Sequence, residues 1–205
     1  MLVNAETGVE MNAVARLDPK AYRRTPWKNG GGVTIDIADE YAPGVPPGSW
    51  SGMLWRFGRT QIITPAPFSD LSGYDRILTV IGGRGLWLDI AGGMSLDARE
   101  PFRPVRFRGE DRIVSRLEAG PVAVLNLLAD RTRYEIDVAI LSGGTTCALD
   151  ATINLVYALD DSAVTIDDSY ALASDEALRI EGASRALAVQ SGRVALATIN
   201  SRSAP

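Results

Sequence analysis

The sequence predicts an all-β protein that consists of two similar small β-barrels in tandem. Helical periodicity is nearly absent, and short apolar segments, many alternating with polar residues, end at Gly, Pro or Asp. The length of 205 residues suits one large or two small domains. With 46% hydrophobic and 22% charged residues, the composition is that of an ordinary globular protein with a core.

Strand candidates follow one another along the chain. Residues 33–38 alternate, residues 51–62 carry Met53, Trp55 and Phe57 at every second position, and residues 77–89 form two strands around a glycine turn. The later candidates are residues 105–108, 113–117, 122–128, 134–141, 146–151, 153–159, 163–166, 177–180, 186–190 and 194–199. Prolines in residues 41–48 predict a surface loop, because proline cannot donate to a strand ladder.

The chain repeats itself in two places. Residues 117–127 are similar to residues 189–199, at an offset of 72, and residues 78–88 are similar to residues 155–165, at an offset of 77. Two hairpins in the same order suggest an internal duplication, although any two β-hairpins look alike. We expect an N-terminal tail over residues 1–20, a first barrel over residues 21–134 and a second over residues 135–205.

Charge changes at the same boundary. Residues 1–134 hold 17 basic and 15 acidic side chains, and residues 135–205 hold 4 and 10. The net charge of −4 and the lack of any long basic run argue against a nucleic-acid partner. The sequence has no signal peptide and no run of apolar residues long enough to span a membrane, so the cytoplasm is the expected location.

The composition also limits the chemistry. The chain has no histidine, which excludes Ser-His-Asp and Cys-His catalysis and every His-ligated metal site. The single cysteine, Cys147, excludes an internal disulfide and a multi-cysteine metal cluster, and we expect it to be an inert core thiol. No metal and no cofactor are therefore expected.

The first candidate site segment is a glycine run after Trp27, Lys28 and Asn29. Three consecutive glycines, Gly30 to Gly32, are costly in a folded chain unless the backbone must approach a ligand, where their N–H groups can hold an anion. Lys28 adds a positive charge there. The segment lacks the spacing of a phosphate-binding loop. Equally, it could be a flexible turn with Trp27 plugging the core.

The second candidate is the pair Trp55 and Arg56, which strand alternation puts on opposite faces. If Trp55 faces the core, Arg56 faces outward. If a barrel interior holds a pocket, Arg56 points into it and can clamp a carboxylate.

The third candidate is the loop at residues 65–76, which carries Phe68, Ser69, Asp75 and Arg76. Such loops often carry function. Alternatively, Asp75 and Arg76 form an ordinary ion pair and Phe68 covers a barrel end. Asn126, in an otherwise apolar strand, is either a satisfied structural residue or a pocket donor.

These segments resemble the HutD/Ves family. Residues 26–32 with Thr34 are similar to its opening signature, Trp55-Arg56 to its next strand, and residues 67–69 and 73–76 with the hairpin at 78–88 to its third block. Asn126 stands in the family's Asp-x-Asn strand. The likeness covers residues 22–131. The chain departs from the pattern at Val124, at Phe57 and Gly58, and at residues 70–72 and 108–112.

The resemblance implies a bicupin with two cupin-like β-barrels of the jelly-roll type. It also implies an association with bacterial histidine utilisation and the binding of a small carboxylate such as urocanate or N-formylglutamate. Most cupins use a His-rich metal site, which this chain cannot form. Tandem cupins often pair through sheet edges, so a homodimer is one expectation.

The leading hypothesis is a regulatory or accessory protein that binds a carboxylate without converting it. The expected ligand-binding residues are Trp27, Lys28, Asn29, Gly31, Thr34, Trp55, Arg56, Phe68, Ser69, Asp75, Arg76 and Asn126. One alternative is a metal-free enzyme in which Asp75 or Asp36 is a general base and Lys28 an acid or Schiff-base former. Another is a protein-interaction module with no small ligand.

Overall fold

The prediction of an all-β protein is confirmed. The computed structural model describes residues 14–26 and 32–202, and its regular elements are strands and one 3₁₀ turn at Pro19–Ala21. The first strands are β1 (Val14–Leu17), β2 (Arg23–Pro26), β3 (Gly32–Tyr41), β4 (Met53–Ile62), β5 (Tyr74–Gly82), β6 (Leu86–Ile90), β7 (Met94–Ala98), β8 (Pro104–Arg108), β9 (Ile113–Leu117) and β10 (Val122–Asp130). The remaining strands are β11 (Tyr134–Ser142), β12 (Thr146–Leu149), β13 (Ile153–Ala158), β14 (Ser162–Ile166), β15 (Asp168–Leu172), β16 (Ala177–Glu181), β17 (Arg185–Ser191) and β18 (Arg193–Ser201).

The strands form four sheets. One has six strands in the order β2-β3-β4-β10-β5-β8, and a second has three in the order β7-β6-β9. A third has five strands in the order β1-β16-β13-β18-β11, and the fourth has four in the order β12-β17-β14-β15. The end strands of each sheet are not hydrogen-bonded to each other. Within the described residues, therefore, none of the sheets closes into the barrel expected from the sequence.

Three apolar clusters hold the sheets together as layers. The largest, which we call the shared core, lies between the six-stranded and five-stranded sheets and is centred on Trp55, Phe57, Leu155 and Tyr157. Phe57 and Tyr157 meet edge to face with ring centroids 6.0 Å apart. A second cluster fills the space between the six-stranded and three-stranded sheets, and a third fills the space between the five-stranded and four-stranded sheets.

The six-stranded sheet is therefore covered on both faces, and strand alternation sorts its side chains between them. On β4, Trp55 and Phe57 enter the shared core. Arg56, Gly58 and Thr60 lie on the opposite face, where they line a cavity. Both faces of β4 are buried, so the alternation of residues along it does not separate a buried face from a solvent-exposed one.

The start of the chain differs from the expected tail over residues 1–20. Val14–Leu17 forms β1, which pairs antiparallel with β16, Val14 opposite Ile180. Arg16 binds Glu176 at 2.7 Å, and this ion pair holds the strand to the C-terminal half. The tail prediction is thus wrong for residues 14–20, because their backbone groups find partners on a sheet edge far away in sequence. Residues 1–13 lie outside the described residues.

The two halves of the chain share an order of strands. The neighbours β4-β10-β5-β8 correspond to β11-β18-β13-β16, and β7-β6-β9 correspond to β15-β14-β17. The repeat at an offset of 72 keeps its faces, since Leu125 and Ala197 both lie in the shared core. The repeat at 77 does not: Asn126 pairs with Leu78 and Thr198 with Asn154, which gives an offset of 76. A slip of one residue would turn every side chain to the other face.

No helix in the described part of the chain is long and apolar enough to cross a membrane.

Arg131 fastens the segments around one end of the six-stranded sheet. Its Nε donates to Asp75 at 2.7 Å, its Nη1 donates to Glu110 at 2.7 Å, and its Nη2 donates to the carbonyl of Tyr74 at 2.8 Å. The hydrogen bonding of Arg131 to Glu110 lowers the pKa of that carboxyl to about 2. One guanidinium thus ties β5 to the turn that follows β8.

We predict that Phe57→Ala lowers the free energy of unfolding by about 3–5 kcal/mol, because it empties the centre of the shared core. Urea denaturation followed by circular dichroism measures this. The exposed Ile63→Ala is the control and should stay within about 0.5 kcal/mol of the parent. Unfolding should remain a single transition in both variants, since both halves build the shared core. Two separate transitions, only one of them shifted, would contradict a common core.

We predict that Arg131→Met lowers the midpoint of thermal unfolding at pH 7, and that the deficit shrinks as the pH falls. The lowered pKa of Glu110 stabilises the fold above the ordinary carboxyl range, and this contribution is lost as the pH falls towards about 2. Scanning calorimetry from pH 7 to pH 3 measures the difference. Arg133→Met, the same change at a more exposed arginine, should alter the midpoint less. A deficit independent of pH would contradict the role of Glu110.

Candidate functional site

A cavity of about 490 Å³ lies on the outer face of the six-stranded sheet. It sits beside the apolar cluster under the three-stranded sheet, and the segment between β4 and β5 forms one wall. Its lining comprises Thr25, Thr34, Asp36, Gly48, Trp50, Arg56, Gly58, Thr60, Ile62, Pro67, Phe68, Ser69, Leu71, Arg76, Asn126 and Leu128. The surface of the cavity is mainly apolar, although eight of its sixteen lining residues have polar or charged side chains. Small-molecule sites usually combine an apolar wall with polar groups.

Arg76 brings an unmatched positive charge into the cavity. Its guanidinium lies 5.0 Å from the ring centroid of Phe68 and 4.8 Å from that of Phe107. It forms no ion pair with any described carboxylate, and its Nε is buried without a hydrogen-bond partner. Burial, and after it the positive charge of Arg56, lower the pKa of Arg76 to about 10. A buried N–H of a charged group without an acceptor is costly, and an anion in the cavity would lower that cost.

Arg56, the second cation, is neutralised by the protein itself. Its Nε lies 2.6 Å from Oδ1 of Asp36, a carboxylate with 6% exposure. The other carboxylate oxygen of Asp36 accepts a hydrogen bond from Arg23 at 2.7 Å. The ring of Trp50 covers the guanidinium of Arg56 at 4.9 Å. The cavity lining therefore carries two guanidiniums and one carboxylate.

A row of neutral polar groups stands on the strands of the cavity floor. The hydroxyls of Thr34 and Thr60 lie 3.3 Å apart, and Nδ2 of Asn126 donates to the Thr60 hydroxyl at 3.4 Å. The register of the sheet places β3, β4 and β10 side by side here. Asn126 is accordingly both partnered and part of the cavity lining.

Close strand packing and an exposed tryptophan shape the cavity. A Cβ at Gly58 would lie 2.6 Å from the carbonyl oxygen of Ile35, so any side chain there would displace β3. Trp50 is 48% exposed and follows the proline-rich loop, whose Gly48 N–H donates to the Tyr41 hydroxyl at 2.8 Å. Thr60 and Trp50 were missed from the sequence. The local pattern at Trp50 indicated only the end of a surface loop.

Six of the twelve predicted site residues line this cavity, and they come from four strands and the segment between β4 and β5. They are Thr34, Arg56, Phe68, Ser69, Arg76 and Asn126. Four more predicted residues, Trp27, Lys28, Asn29 and Gly31, lie outside the described residues.

Trp55 does not line the cavity, contrary to the expectation that it forms an apolar wall. It is fully buried in the shared core on the other face of β4, where its indole N–H donates to Glu40 at 3.1 Å. Alternation along the strand makes the two roles exclusive. Once Arg56 points into the cavity, its neighbour cannot.

Asp75 also lies away from the cavity. It is the neighbour of Arg76 on β5 and points to the other side, where Arg131 binds it at 2.7 Å. Asp75 is therefore not among the residues that line the cavity, and its ion pair is with Arg131 and not with Arg76.

No three metal-ligating side chains lie together in residues 14–26 and 32–202. Burial raises the pKa of the Cys147 thiol, which packs beside the cluster of the C-terminal half. A raised thiol pKa is typical of an unreactive cysteine.

Comparison with known proteins supports a cupin-like fold. A cupin 2 conserved barrel domain protein from Leptotrichia buccalis superposes with a TM-score of 0.53 at 8% identity, over 83% of this chain and 89% of that chain. An identity this low carries the fold alone.

Closer relatives come from Pseudomonas. An uncharacterised 21.2 kDa protein in the hutC 3′ region of Pseudomonas putida is 29% identical over 196 residues, which are 94% of this chain and 100% of that protein. The structure of HutD from Pseudomonas fluorescens SBW25 has a TM-score of 0.80 at 28% identity, over 93% of this chain and 100% of that one. A protein of unknown function from Pseudomonas aeruginosa PAO1 has a TM-score of 0.81 at 25% identity, over 92% and 99%.

The resemblance inferred from the glycine run, Trp55-Arg56 and residues 67–76 is confirmed by a family model. The model named HutD matches residues 19–197, which is most of the sequence and extends well beyond the segments that carried the resemblance. The chain therefore belongs to the HutD family.

Proposed function

We propose that this protein binds a small carboxylate in the cavity of its N-terminal half and does not convert it. The carboxylate would lie against Arg76, between Phe68 and the polar row of the floor. It would act as a signal, so that the protein serves as a regulatory or accessory factor of histidine and urocanate catabolism in the cytoplasm. Urocanate and N-formylglutamate are the first candidate ligands.

The unmatched charge of Arg76 carries this proposal. Proteins rarely hold an arginine away from water without an anion, because the desolvation cost is not offset. Phe68 and Phe107 contact the guanidinium only through their rings, so they offer it no hydrogen-bond acceptor and leave that part to a ligand. A bidentate acceptor suits a guanidinium best. A carboxylate has that geometry.

Family membership supports the pathway. A Pseudomonas putida relative is described as lying in the hutC 3′ region, and the matching family model is named HutD. A factor of histidine catabolism that senses its carboxylate intermediates would need a site of this charge. The proposal requires no metal, in keeping with a chain that has no histidine.

We also infer that the chain is a bicupin, with a first unit over residues 21–134 and a second over residues 135–205. The shared order of strands in the two halves supports a duplication. Only the first unit would bind ligand, since the corresponding space in the second is filled by an apolar cluster that includes Val156, Val164 and Leu196. Strand β1 would belong to the sheet of the second unit, although it precedes the first unit in the sequence.

Thermal-shift titration tests the ligand proposal. Histidine, urocanate, N-formylglutamate, formiminoglutamate and glutamate are titrated in turn. A ligand at about 100 times its Kd adds about 2.7 kcal/mol, which raises the midpoint by about 5–10 °C for a chain of this size. We expect at least one carboxylate to do so. A flat response to all of them would contradict the proposal and favour an interaction module.

Arg76→Met separates binding from folding. We expect the ligand-induced shift to disappear, and the ligand-free protein to become more stable by about 0.5–2 kcal/mol, because a buried N–H without an acceptor is removed. The exposed Arg103→Met is the control and should leave both quantities unchanged. A shift that survives in Arg76→Met would show that the carboxylate binds elsewhere.

A further inference from the structure

One of the two guanidiniums in the cavity lining belongs to a closed network of charges. Arg56 lies 2.6 Å from Asp36, and Arg23 donates to the same carboxylate at 2.7 Å. Arg23 also binds Asp39. Two arginines and two carboxylates make this network neutral, so a ligand gains little charge attraction from Arg56.

Arg76 is the cation that remains. It is partly exposed, and within the described residues neither an ion pair nor a hydrogen bond engages its guanidinium. Only its Nε is fully enclosed, so its two terminal nitrogens are the atoms that a ligand can reach. The described lining therefore offers a ligand one open positive charge and no more.

The register of the strands puts both arginines at one level of the sheet. Leu128 on β10 pairs with Arg56 on β4 and with Arg76 on β5. Asn126, which also lines the cavity, is two residues from Leu128 and thus stands roughly 7 Å further along the strands. A ligand whose carboxylate lies at Arg76 can therefore reach the Asn126 amide with its other end.

The next level beyond Asn126 is a row of hydroxyl groups. Thr25 on β2 pairs with Thr34 on β3, and Thr34 pairs with Thr60 on β4. All three line the cavity, and we call them the threonine row. Thr60 is four residues from Arg56, so the row lies roughly 14 Å from the level of the arginines. The described cavity is thus positive at one end and neutral at the other.

We propose that the cavity selects monocarboxylates with a neutral, hydrogen-bonding distal end and discriminates against dicarboxylates. The carboxylate lies at Arg76, and the distal end points towards the threonine row. This rests on the proposed carboxylate binding and narrows it to one class of ligand. Of the first candidates, urocanate carries one carboxylate and N-formylglutamate carries two, so urocanate fits better.

The cost of a second carboxylate gives the selection its strength. Near Asp36 the second carboxylate would meet a like charge, and at the threonine row it would meet only neutral hydroxyls. A charge that loses water without gaining a counter-charge is costly. A neutral amide or imidazole exchanges its hydrogen bonds with water for bonds to Asn126 and the threonines, which costs far less.

Calorimetric titration of the wild-type protein with matched probes tests this. Glutaramate is compared with glutarate, and N-formylglutamine with N-formylglutamate, so that each pair differs only by an amide in place of one carboxylate. We expect the monocarboxylate to bind about 10-fold tighter or more, because the second carboxylate of its partner stays without a counter-charge.

Thr25→Lys tests the orientation of the ligand by adding a cation at the neutral end. Thr25 is exposed, so the fold should tolerate the change. We expect the preference for the monocarboxylate to fall by about 3-fold at low salt, which is the strength of an exposed ion pair. Met94→Lys is the matched control. It adds the same charge at a residue that is 59% exposed and does not line the cavity, so the preference should persist.

The outcomes separate this inference from the function on which it rests. Equal affinities within the pairs, or tighter binding of the dicarboxylates, would overturn the selection and leave carboxylate binding standing. A preference that Thr25→Lys leaves unchanged would overturn the proposed orientation. The absence of binding by any carboxylate, in these pairs and in the thermal-shift series, would overturn the proposed function and this inference with it.

Discussion

The six-stranded sheet is the constraint on which the rest of the structure depends, because both of its faces are covered. One face builds the shared core with the C-terminal half, and the other forms the floor of the cavity. Along β4 this division changes at every residue: Trp55 and Phe57 pack inward, and Arg56, Gly58 and Thr60 face the cavity. Alternate residues of the same strand therefore serve two roles: one set stabilises the shared core, and the other lines the candidate site.

The N-terminal and C-terminal halves have the same strand order, but the outer faces of their sheets differ in what they bury. In the C-terminal half, the face turned away from the shared core packs Val156, Leu178 and Leu196 against the four-stranded sheet. In the N-terminal half, the cavity lies on the corresponding face, beside the apolar cluster, and charged side chains form part of its lining. Two guanidiniums against one carboxylate give this space a net positive charge, which the apolar half lacks. That asymmetry underlies our proposal that the first half alone receives the ligand.

Features that depend on residues close together in the sequence could be predicted, and features that depend on residues far apart in the sequence could not. Strands and their alternation are local, so the all-β class and the opposite faces of Trp55 and Arg56 followed from the pattern. Which of the two faces lies in the shared core and which faces the cavity is not determined locally. Both faces of this sheet are buried, so the sequence has no solvent-exposed polar face that would distinguish them. The pairing of Asp36 with Arg23 and Arg56 arises from the register of β2, β3 and β4. Trp50 was missed for a similar reason, since only the folded chain brings it over Arg56.

A crystal structure with the carboxylate that gives the largest thermal shift tests the central claim most directly. The account predicts that the ligand lies in the cavity of the N-terminal half, with a carboxylate oxygen hydrogen-bonded to Arg76. A ligand held elsewhere on the protein, or one in the cavity whose carboxylate leaves Arg76 unpaired, would contradict it.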